Sequence, residues 1–109
     1  HVVIADSDAE AEKLAAPAYE KWFESLLHLW RAHNVQIPIS FPEKLKDAMA
    51  EGHCVVGSLE TVREKLAEEI ERSGINYLLC RLAFGDLPVE QSLQSTACLQ
   101  DEVIPDYLT

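Results

Sequence analysis

Residues 55–84, VVGSLETVREKLAEEIERSGINYLLCRLAF, decide how the chain is read. They continue a brief apolar run, His53 to Gly57, that suits a short strand. Ser58 follows as an N-cap, with Glu60 and Glu64 placed where the helix dipole favours acids. Val62, Leu66 and Ile70 then recur at helical spacing, and Gly74 suits the left-handed residue that closes a helix. The spacing predicts a helix over 59–73. Ile75 to Phe84 does not alternate. Its nearly unbroken apolar character is what a strand of a parallel sheet requires when helices cover one side and the other is buried.

Upstream, Val2 to Ala5 is a β-branched run that reads as a buried strand. Ser7 and Glu10 form a capping box, so a helix should begin near Asp8. Leu14, Ala18, Trp22, Leu26 and Trp30 recur at steps of four, and Tyr19, Phe23 and Leu27 widen that face to about His33. Pro17 sits inside the pattern and is expected to kink or break the helix near Ala16. Asn34 to Pro42 reads as a connection, and Glu43 to Glu51 as a short helix closed by Gly52. Downstream, Gly85 to Pro88 is a turn. Val89, Leu93 and Ala97, with Thr96 and Val103, predict the apolar face of a last helix that ends before Pro105. The order of elements is βα repetition, which implies parallel strands joined by right-handed crossovers.

Composition bounds the function. The 109 residues carry 19 acids and 9 bases, a net charge of −10, and 48% are apolar. That content supports a folded core and argues against disorder. A net negative charge opposes phosphate backbones and anionic lipid surfaces, which removes nucleic acid and membrane from the expected partners. HVVIADSD is neither basic nor apolar enough for a secretion signal, and no run is long enough to span a bilayer. Cys54, Cys80 and Cys98 form no C-x-x-C motif, and their odd number does not suit a disulfide framework, so the cytosol is the expected compartment. The four histidines make no ligand set: His28 and His33 fall on different helix faces, and His53 has no companions. No Met opens the chain, which fits a sequence that starts midway through a larger protein.

Four pieces in order carry a family resemblance: Gly57 to Val62, Ser73 to Leu78, Phe84 to Leu87, and Glu102 to Pro105. Together with Val2 to Glu12, which is similar to a late barrel strand and its helix start, they make residues 1–109 resemble the C-terminal part of the luciferase-like flavin-dependent monooxygenases. Leu59 stands where that family usually has Pro, and Pro88 where a capping Ser or Thr is common. The resemblance implies the last three βα units of a (β/α)8 TIM barrel, a partial barrel with parallel strands. A whole barrel needs about 250 residues.

Such a barrel would place function on the loops after its strands, here Asp6-Ser7, Gly57-Ser58 and Gly85-Asp86. Gly57 and Ser58 open a helix whose free amides could hold a cofactor phosphate, although Ser58 is equally a plain N-cap. Phe84 and Gly85 could approach a flat ring, with Asp86 either at the site or capping the last helix. Arg81, a charge in an apolar run, could meet a cofactor anion or reach solvent. The resemblance implies reduced FMN or a deazaflavin (F420) and a small-molecule substrate in the parent enzyme, with this chain inactive alone. The alternative is a truncated, non-catalytic module that covers its open edges by forming a homo-oligomer, with Tyr19, Trp22 and Trp30 as contact residues.

Overall fold

The structure is a computed structural model, which describes residues 1–38 and 40–108. β1 (Val2–Ala5) and β2 (Val55–Ser58) pair in parallel, with Val2 opposite Val55 and Ala5 opposite Ser58. Between them run α1 (Asp8–Ala32) and the short α2 (Leu45–Ala50). After β2 come α3 (Leu59–Ser73), an extended segment, and α4 (Val89–Cys98), which continues through a π turn (Leu99–Val103) into a 3₁₀ turn (Ile104–Tyr107).

The caps form where the sequence places them. The Ser7 hydroxyl accepts from the Glu10 amide at 3.1 Å, and the Ser58 hydroxyl accepts from Thr61 at 3.3 Å. Gly74 closes α3 at φ 68°. Pro17 does not break α1, which is continuous across it. The ring lies on the exposed side, so the Lys13 carbonyl it leaves without a donor also faces water. The deepest stripe of α1 is Ala11, Ala15, Ala18 and Tyr19, whose three small side chains let the helix approach the sheet closely.

The expected partial barrel is not what forms. The sheet has two strands among the described residues, and helices cover both of its faces. Val3, Ala5 and Val56 pack with α1 and α2, while Val2 and Ile4 pack with Val62 and Leu66 of α3 and with Leu99 and Val103 of the π turn. A barrel strand turns one face to the barrel interior and only the other to helices. With both faces taken by helices, this sheet has no interior side to close around. The arrangement is three-layered, helix on sheet on helix.

The third strand expected at Ile75 to Phe84 is also absent. That segment gives one bond to the edge of β1, from the Val2 amide to the Arg81 carbonyl at 2.9 Å. At the next outward-facing residue of β1 the edge is already occupied. The Ile4 amide donates to Ser95 Oγ at 3.0 Å, and Gln91 Nε2 donates to the Ile4 carbonyl at 2.8 Å. Ser95 Oγ also donates to that carbonyl at 3.3 Å. Side chains of α4 thus fill the place a third strand would take, and they satisfy the same backbone groups.

This contact sets the rotation of α4, and it reverses the expected face. Gln91 and Ser95 are buried, whereas Val89 and Leu93 are 68% and 64% exposed and Ala97 faces solvent. Gly85 brings the chain onto α1. It has φ 56°, and a Cβ there would stand 2.0 Å from the Ala18 carbonyl oxygen, so only glycine fits.

Candidate functional site

In open α/β sheets the crevice beyond the carboxyl ends of the strands is where ligands bind. Here an open crevice of about 590 Å³ lies at that end, bordered by Asp6, Ser58, Glu60, Arg63, Gln94 and Cys98. β1 and β2 end side by side, which sets Asp6 and Ser58 on its rim.

Ser58 begins α3, but its amide is not free. The Asp8 carboxylate, from the first turn of α1, accepts it at 2.7 Å. The bond to the Ser58 amide, and then that to Thr61, hold the Asp8 carboxyl below its ordinary value of 3.8. The chain therefore supplies its own anion at the start of α3, and an external phosphate would have to displace Asp8 to reach that amide. Gly57 leaves the room for this. A Cβ on Gly57 would stand 2.7 Å from Asp8 Oδ1 and 2.8 Å from Thr61 Cγ2. Arg63 is engaged as well: its Nε lies 3.1 Å from the Asp106 carboxylate, and its Nη2 donates to the Glu102 carbonyl.

The other residues singled out from the sequence lie elsewhere. Arg81 is beside Val2, at the amino end of β1, and its guanidinium stands 5.9 Å from the centre of the Trp22 ring. Phe84 is buried, edge-on to the His1 ring at 4.6 Å, and Trp22 meets the same imidazole at 4.4 Å. Asp86 pairs with Lys21 at 3.8 Å, both being more than half exposed, and Pro88, not Asp86, occupies the N-cap of α4. Gly57 and Ser58 thus sit at one end of the sheet, and Arg81 and Phe84 at the other. Tyr19, expected at a contact surface, is fully buried, and its hydroxyl donates to the Pro42 carbonyl at 2.5 Å.

Burial, with the Cys54 and Glu51 charges adding to it, pushes the Tyr19 phenol up to about 12, and burial pushes the Cys54 thiol up to about 11. Neither group is poised to exchange a proton near neutrality. Asp8, Gln91 and Ser95 are the polar residues that sequence reasoning missed. The only signal available for the last two is a polar pair four apart on one helix. Among the described residues no three His, Cys, Asp or Glu side chains cluster as a metal site, and no helix is long and apolar enough to cross a membrane.

The chain is similar to an uncharacterised protein, y4wF, of Sinorhizobium fredii (strain NBRC 101917 / NGR234), with 37% identity over 103 residues. The match covers 94% of this chain and 30% of that protein, so the chain spans less than a third of its relative's length. No protein-family model matches, and no solved structure matches.

Proposed function

We propose that this chain is a portion of a flavin- or deazaflavin-dependent oxidoreductase related to the luciferase-like monooxygenases, and that it is inactive alone. The observation that carries the second half is the separation of the candidate flavin residues. Ser58 borders the crevice, with Gly57 before it in β2, while Arg81 and Phe84 lie at the aromatic cluster beyond the opposite end of β1. The crevice that Ser58 borders is lined by neither Arg81 nor Phe84, so these residues do not converge on one site. The ordered resemblance of Gly57 to Val62, Ser73 to Leu78, Phe84 to Leu87 and Glu102 to Pro105 supports the flavin class. The rhizobial relative, with 70% of its length outside the match, has room for the rest of such a site.

In that parent the cofactor would carry the redox chemistry and the protein would bind and orient it with a small-molecule substrate. Three free thiols, Cys54, Cys80 and Cys98, support a cytoplasmic setting. Titrating oxidised FMN and an oxidised deazaflavin, the fluorescent forms, into the rhizobial relative and into this chain tests the proposal. The relative should quench or shift the cofactor's fluorescence at micromolar concentration, and this chain should not. A relative that binds neither cofactor overturns the flavin class, and quenching by this chain alone overturns its lack of a site.

A further inference from the structure

We draw no further inference here: the strongest candidate, the apolar groove between α3, the extended segment and the last turns of the chain, carries none because nothing in the structure shows what covers it.

Discussion

The Asp8 carboxylate accepts the Ser58 amide at 2.7 Å across 50 residues of sequence, and so ties the start of α1 to the start of α3. The contact lies where β1 and β2 both end, so it also fixes how the two chain reversals leave the sheet. Its strength depends on the carboxyl being ionised. The Asp8 pKa is lowered in the folded chain, so its contribution is complete above the ordinary value of 3.8 and is lost as pH falls through the lower folded value. Urea midpoints of the unsubstituted chain should therefore fall as pH drops below 3.8, and Asp8→Ala should make that limb shallower. An unchanged acid limb in the variant would show that the contact contributes nothing.

Ser95 is fully buried, and its hydroxyl serves both the amide and the carbonyl of Ile4. Removing it leaves a buried donor without an acceptor, which costs about 1–3 kcal/mol. Ser95→Ala should lower unfolding stability by that amount in denaturant titrations. Gln91→Ala should cost less, because the Ile4 carbonyl keeps the Ser95 hydroxyl.

Gly85 and Gly74 separate two reasons for glycine. Both have positive φ, but a side chain at Gly74 would meet nothing within 4 Å, whereas one at Gly85 would meet the Ala18 carbonyl oxygen at 2.0 Å. Gly74→Ala should cost about 1 kcal/mol, the left-handed strain alone. Gly85→Ala adds a collision with helix backbone that cannot move aside, and should cost upwards of about 3 kcal/mol. Thermal and denaturant melts of the two variants give the comparison directly.

Cys54 is buried, with its thiol pushed up to about 11 by desolvation. Iodoacetamide at mildly alkaline pH, followed by peptide mass spectrometry, should leave Cys54 unlabelled in the folded chain and label it only as the chain unfolds. Labelling of Cys54 before the loss of circular dichroism would show that the layer under α1 opens locally.

Much of the local structure was legible because it follows from short-range chemistry. Ser7, Ser58 and Gly74 cap or close helices wherever they occur in that setting, and the β-branched Val2 to Ile4 run has few other uses. The assembly was less legible. Ile75 to Phe84 has the composition of a central strand, but its pairing depends on whether the edge of β1 is free. Gln91 and Ser95 decide that from another element, and nothing local marks them as inward-facing. The family resemblance fixed an order of helix starts and ends but not which face of the sheet each helix covers, so the barrel expectation failed at the level of layers. For the site, Ser58 was legible as a cap. Its acceptor Asp8 was not, because that contact exists only once the two strands lie side by side.

The register of β1 carries a consequence for synthesis. Val2 pairs with Val55, and Ile4 is bonded to Ser95, 91 residues further along. During translation β1 therefore leaves the ribosome long before either partner is made. Val2 to Ala5, the most deeply buried run in the chain, must wait as an exposed apolar segment until β2 and then α4 emerge. α1 can form during that interval, but Gln91 and Ser95, which hold the edge of β1, are made only after β2 and α3.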